Sequence, residues 1–283
     1  MNSVRIVADS GCDLPPDLAA RHAITIVPCI VRFGEETISD AEITLDEFWV
    51  RAGAAAQPPG TSAPPPRLYQ QAYQHLVDGG HDVLCLTLPH GFSTAYNTAW
   101  LAAQDFGPRV AVMDSGSFSL GMGVQALAAA RDAVAGLGLE AIRRRMADMR
   151  RRTSVIFALD TIEWARRGGR IARVLPLIDR IARTFQIKPV VEMIDGDMRL
   201  LGVARSYHKA VQRIEEEVRQ RLPIEVACTA YTRGCDLAAG LSERLSHLLG
   251  TPANAGDLVL KEAGPTFAAH AGPGAVGAIV VRA

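Results

Sequence analysis

Hydroxyl pairs, an arginine pair split by two glycines, and one histidine near the carboxyl end are the residues that could do chemistry in this 283-residue chain. Thr61-Ser62 closes a proline-rich run, and Ser93-Thr94-Ala95-Tyr96 stands where a helix follows a strand. Arg167-Gly168-Gly169-Arg170 lies in a basic stretch, and His270 opens His270-Ala271-Gly272-Pro273-Gly274-Ala275. Each has a plain structural reading beside a functional one. Hydroxyls donate to anions but also cap helices. The glycines can end a helix near Arg166, and His270 can act as a base or stand as an ordinary loop histidine. Cys12, in Asp9-Ser10-Gly11-Cys12-Asp13 after a strand, would be a nucleophile if it opened a helix and a packed thiol otherwise.

Other chemistries lack their spacing. There is no Gly-x-Gly-x-x-Gly and no Gly-x-x-x-x-Gly-Lys-[Ser/Thr], and Gly116, Gly121 and Gly123 make only part of a glycine-rich phosphate turn. His75, His81 and His90 are not spaced i, i+4, and Cys228 and Cys235 have no second ligand pair, so no metal site is expected. A Gly-x-Ser-x-Gly elbow is absent.

The elements that must position these groups follow an α/β grammar. Hydrophobic residues are 48% and charged residues 21%, the proportions of a globular chain that buries a core. Short apolar runs alternate with helical patterns: Val4 to Ala8 then Pro15 to His22, Ile24 to Ile30, Val83 to Leu88 then Ser93 to Phe106, and Val110 to Met113. Continuous rather than alternating apolar strands imply a mostly parallel sheet with helices on both faces. The stretch from Phe33 to Ala63, with five prolines between Pro58 and Pro66, reads as an ordered surface loop feeding a helix near Arg67. After residue 150 the grammar changes. Val190 to Ile194 and Met198 to Val203 flank the hairpin signal Asp195-Gly196-Asp197, Tyr207 to Leu222 is an amphipathic helix, and Ile224 to Ala230, Leu258 to Leu260 and Ala278 to Val281 are strands. Two domains are expected, 1–150 with a parallel sheet and 151–283 with a mixed or antiparallel one.

Thirty basic residues balance thirty acidic ones, which offers nucleic acid no net attraction. The window Arg143 to Lys188 nonetheless holds thirteen basic and four acidic residues. It reads as the solvated face of a helix, or as a docking surface for an acidic partner or a phosphate. With only Phe157, Trp164 and Phe185 as aromatics, it has no base-stacking motif. Five scattered cysteines predict reduced thiols, and the absence of a leader pattern or a long apolar run predicts a cytoplasmic protein with at most transient membrane contact.

In their order, the motifs resemble the DegV family along residues 4 to 281. Asp9-Ser10-Gly11-Cys12-Asp13-Leu14-Pro15 is similar to its Asp-Ser-x-x-Asp-Leu-Pro, Thr61-Ser62-Ala63-Pro64 to its Thr-Ser-x-Pro, and Phe92-Ser93-Thr94-Ala95-Tyr96-Asn97 to its Leu-Ser-Gly-Thr-Tyr-Gln. Asp114-Ser115, Asp160-Thr161-Ile162-Glu163, Arg167-Gly168-Gly169-Arg170-Ile171 and the His270 motif complete the series. The resemblance implies a protein without its own active site and without a cofactor. It would bind a long-chain, palmitate-like fatty acid between two domains and present it to a fatty acid kinase. It implies that Thr61 and Ser93 hold the carboxylate, with His270 and Ser62 close by and Arg170 used in presentation. Thr94-Ala95 replaces the usual Gly-Thr, and Thr94 or Asn97 could supply the missing hydrogen bond. The alternative is a phosphotransferase or hydrolase using His270 with Asp9, Ser10 and Arg170.

Overall fold

The computed structural model describes residues 2–170, 174–182, 187–234, 236–249 and 258–283. Ile171, Phe185 and Cys235, which enter the sequence reading, lie outside them.

The chain begins with β1 (Val4–Asp9), a short 3-10 turn over Ser10–Cys12, α1 (Pro16–Arg21) and β2 (Ile24–Val27). Pro28 ends that strand, so the expected single run to Ile30 is two strands belonging to different sheets. The stretch expected to be a loop folds instead as β3 (Ile30–Phe33), β4 (Glu36–Ser39), α2 (Leu45–Ala54) and β5 (Gly60–Ser62). The three strands form a small antiparallel sheet in the order β4-β3-β5. Thr44 starts α2 by accepting the Glu47 amide at 3.2 Å, and Phe48, Trp49 and Ala52 are its buried face.

Next come α3 (Pro66–Asp78), β6 (Asp82–Thr87), α4 (Ala95–Ala103), β7 (Val110–Asp114), α5 (Leu120–Val134) and α6 (Leu139–Arg152). β1, β2, β6 and β7 pair in parallel in the order β2-β1-β6-β7. The remainder is β8 (Thr153–Ala158), α7 (Glu163–Gly168), α8 (Leu175–Ala182), β9 (Lys188–Ile194), β10 (Asp197–Ala204), α9 (Tyr207–Arg219), β11 (Ile224–Tyr231), α10 (Asp236–Leu249), β12 (Leu260–Glu262), α11 (Pro265–Ala271) and β13 (Val276–Arg282). Six of these strands build a second sheet, β10-β9-β8-β13-β11-β12, antiparallel except for β11 with β12. The hairpin turns at Asp195 (φ 48°) and Gly196 (φ 81°), the two left-handed residues that such a turn demands.

The two large sheets share their filling. α3 and α4 cover the outer face of the parallel sheet, α9 and α10 the outer face of the antiparallel one, and α5 and α6 lie between the two. One apolar cluster therefore joins Ile6 and Leu84, Leu120, Met122, Ile142 and Met146 of the middle helices, and Val155 and Ile279. Gly121 and Gly123 let α5 approach its neighbours closely. A Cβ on Gly121 would stand 2.5 Å from the Val155 side chain, and one on Gly123 2.7 Å from the Cys12 carbonyl oxygen. These glycines let a helix in; they do not form a phosphate turn, contrary to the partial pattern in the sequence.

Candidate functional site

In an open parallel sheet, a crevice forms where neighbouring strands send their connections to opposite sides. Here that point lies at the carboxyl ends of β1 and β6, because β1 leads toward β2 and β6 toward β7. Asp9, the last residue of β1, fixes it. One of its oxygens accepts the Gly11 amide at 3.0 Å and the other the Leu88 amide at 2.8 Å. Asp114, ending β7, accepts the amides of Gly116 at 2.6 Å and His90 at 3.0 Å, which anchors the 88–93 turn at its far side.

A cavity of about 460 Å³ opens at that crevice, between the two large sheets and the small one. Sites for small molecules span roughly 300–1,000 Å³. Its apolar wall includes Leu88, Phe118, Phe157, Leu159, Met198 and Phe267. Phe118 stacks on Phe267 with centroids 5.2 Å apart, and Phe157 stands edge-on to both. Its polar wall brings together Thr61, Ser62, Ser93, Thr94, Arg170 and His270, groups drawn from four separate segments of the chain.

Each polar group is placed by its element. Thr61 sits on β5 paired with the buried Val31, and its hydroxyl meets His270 Nε2 at 2.7 Å. α11 carries Thr266, Phe267, His270 and Ala271 into the cavity. Its other side, Ala268 and Ala269, packs on Val31, Phe48 and Trp49 of the small sheet and α2. The start of α11 is tied down by Asp40, which accepts Thr266 Oγ1 at 2.7 Å and also the Ser10 hydroxyl. Ser93, just ahead of the first turn of α4, accepts the Ala95 amide on its hydroxyl at 3.1 Å and lines the cavity as well. Gly169 ends α7 in the left-handed conformation (φ 69°), after which Arg170 turns in and donates to the Gly168 carbonyl at 2.6 Å. Asn97 stays exposed on α4, outside the lining, and its expected place beside the other polar groups is not what the fold gives.

Burial sets the electrostatics. It holds His270 down at about 3, with the charge of Arg170 adding to the effect, so the imidazole is neutral. Burial pushes Asp9 and Asp13 up to about 7 and raises Asp40 as well. Cys12 is buried and its thiol is driven up, not down, chiefly by desolvation; it lies in the 3-10 turn and not at a helix start, so the nucleophile reading is wrong. Of the hydrolytic grouping, His270 and Arg170 line the cavity together, while Asp9 and Ser10 are not part of its lining. Both Asp9 oxygens are engaged by amides and Ser10 is held between Asp40 and the Cys29 amide at 2.8 Å. Among the described residues no group of three or more His, Cys, Asp or Glu side chains could hold a metal ion.

A family model described as an uncharacterised protein, DegV family, matches residues 3–283. The chain belongs to the DegV family. This DegV family member is 31% identical to a DegV domain-containing protein of Streptomyces coelicolor, with 98% of each chain covered. It is 32% identical to one of Deinococcus radiodurans, with 97% of each covered. Among solved structures it is similar to one described as the fatty acid binding of a DegV family protein from Thermus thermophilus, at a TM-score of 0.91 and 30% identity over 100% of both chains. It is also similar to a stearic acid-binding protein of Eubacterium ventriosum, at a TM-score of 0.89 and 25% identity over 100% of this chain and 98% of that one.

Asp40, Thr266 and Phe267 stand outside the motifs that mark the site in the sequence. The bond between Asp40 and Thr266 joins residues 226 positions apart, and no local pattern announces such a partner.

Proposed function

We propose that this protein binds a long-chain, palmitate-like fatty acid in the cavity and presents it to a fatty acid kinase, without carrying out chemistry itself and without a cofactor. Thr61 and Ser93 would hold the carboxylate, with Ser62, Thr94 and His270 beside it and Arg170 engaged in presentation. The division between the two domains would fall near residue 150, with the ligand between them. The observation that carries the reading is the Thr61 to His270 contact at 2.7 Å, which sets two neutral hydrogen-bonding groups in the polar wall of a cavity whose other wall is apolar. Relatives of the same fold are described as fatty-acid binders, which supports the ligand class.

Magnitudes divide the labour between head and tail. A tail of ~14 methylenes at ~0.8 kcal/mol each contributes on the order of 11 kcal/mol before ordering costs. Each charge-assisted hydrogen bond to the carboxylate contributes about 1.5–3 kcal/mol. The tail would set affinity and the hydroxyls would set register. A carboxylate held chiefly by hydroxyls and helix-start amides would also stay open to a phosphoryl donor.

Organic extraction of freshly purified protein, followed by mass spectrometry, tests the ligand class: a copurified long-chain fatty acid is expected, and no lipid in the protein, even after incubation with palmitate, would overturn it. Thr61→Ala and Ser93→Ala should keep much of the lipid while lowering phosphorylation by an added kinase; unchanged phosphorylation would remove the roles assigned to them.

A further inference from the structure

Part of the cavity wall has acids behind it. Gly11, Cys29 and Thr266 line the cavity, whereas Asp9, Asp13 and Asp40 do not. Asp40 accepts the Thr266 and Ser10 hydroxyls, and its own amide donates to the Cys29 carbonyl at 3.0 Å. Asp9 accepts the Gly11 amide. Asp13 accepts the Ser119 hydroxyl and sets its other oxygen against Gly264, where a Cβ would stand 2.7 Å away, just ahead of α11. Asp9 and Asp40 are thus each one hydrogen bond from the lining, and Asp13 lies beside the start of the helix that carries Thr266.

No cation offsets these acids through an ion pair. Asp9 is wholly enclosed and Asp40 is 9% exposed. Among the described residues none of the three is ion-paired, although Asp82, Asp114 and Asp148 each stand beside an arginine. The charges bear on one another, for Asp40 pushes up both Asp9 and Asp13, and Asp13 pushes up Asp9. The Oδ1 atoms of Asp13 and Asp40 are enclosed without a hydrogen-bond partner. The other titratable groups that face the cluster are Cys12 in the turn, Cys29 ahead of β3, Tyr69 and Tyr73 of α3 and Cys85 of β6, all held neutral by burial. Elsewhere on the lining stand the neutral His270, Arg170 and His90. Ionising all three acids confines like charges in a poorly solvated place, and a single proton relieves it.

An alkyl tail laid on Gly11, Cys29 and Thr266 excludes water from the part of the lining nearest the acids, which makes their ionised forms costlier still. We propose that the cluster of Asp9, Asp13 and Asp40 couples ligand binding to proton uptake, so that the cavity holds its lipid more tightly as pH falls through the neutral range. This rests on the fatty-acid reading for the ligand and adds a means of release that the head-group contacts do not contain. Because the complex holds more protons than the free protein, binding weakens as pH rises.

Isothermal titration calorimetry of the lipid-free, full-length protein tests this with palmitate and with hexadecane sulfonate, whose head group stays ionised throughout. From about pH 6 to about pH 8 both should weaken about tenfold, the effect of about half a proton taken up on average. Titration in buffers of different ionisation enthalpy should show that uptake directly. Asp40→Asn keeps an acceptor for Thr266 and Ser10 and should remove most of the dependence, Asp13→Asn should remove part of it, and His90→Gln should leave it intact. Equal affinity across the interval overturns the coupling. So does a dependence confined to palmitate when both ligands bind, which belongs to the ligand's own carboxylate. A dependence that survives in both aspartate variants, or that His90→Gln abolishes, overturns the assignment to these acids. Should the sulfonate fail to bind, loss of the palmitate dependence in Asp40→Asn supports the coupling and its retention overturns it. Should the aspartate variants fail to fold, absence of proton uptake in the wild type with the sulfonate, or with palmitate if the sulfonate does not bind, overturns it. Binding of neither ligand at any of these pH values overturns the fatty-acid reading and the coupling together.

Discussion

His270 is the residue on which the polar end turns, and its neutrality is the property to measure. With its value near 3, the ring carries no charge at any physiological pH. Its carbon-bound proton NMR shifts should therefore stay constant from about pH 5 to about pH 8, whereas a free histidine titrates near 6.5. A midpoint inside that interval would contradict the burial argument. The described cysteines make a second residue-scale case. Cys12, Cys29, Cys85 and Cys228 are all buried, and burial raises each thiol. Site-resolved mass spectrometry after brief iodoacetamide treatment should find these four unmodified in the native protein and modified after denaturation. Thr61, Ser93, Arg170 and His270 are legible in the sequence because each sits in a short motif. Cys12 misleads because a strand followed by Ser-Gly-Cys looks like a helix start, and only the placement of α5 over the turn shows that it is covered.

At the scale of elements, α11 decides whether the polar and apolar halves of the cavity stay in register, because Phe267 and His270 lie one turn apart on it. Thr266→Val removes the hydroxyl that ties its first turn to Asp40 and should cost about 1–3 kcal/mol in urea unfolding, as for a buried polar group left short of a partner. A variant as stable as the wild type would show that the tie is dispensable. The parallel strands and the β9-β10 hairpin are legible from apolar runs and turn residues. The small sheet is not: its strands have three or four residues, too few for a periodicity, and the prolines after α2 dominate the pattern. β8 is hidden for another reason. It follows α6 with no turn residue between Arg152 and Thr153, so nothing in the sequence punctuates the change.

For the whole molecule, the buried carboxylates set the pH dependence of stability. Asp9 and Asp13 bind a proton near pH 7 when folded and near 3.8 when unfolded, so the folded state holds more protons between those values. Stability then falls as pH rises through that window. His270 acts oppositely, since its folded value is depressed from 6.5 to about 3, and its contribution is lost only as pH falls below 6.5. Between pH 6.5 and about 8 the carboxylates act alone. The urea midpoint should drop across that interval, and Asp13→Asn should reduce the drop; a midpoint that rises would refute the assignment.

Arg150, at the end of α6, adds a strap between the halves, donating to the Asp114 carbonyl at 2.9 Å and to Asp195 at 2.6 Å. Yet the greater bond between the halves is the helical filling that both sheets use in common. A gene split between Arg152 and Thr153 would produce two polypeptides, each with a raw oily surface, and neither should persist alone. Coexpressed, they should find one another and restore the cavity by fragment complementation, so the seam in the sequence marks a change of architecture and not a place where the molecule comes apart.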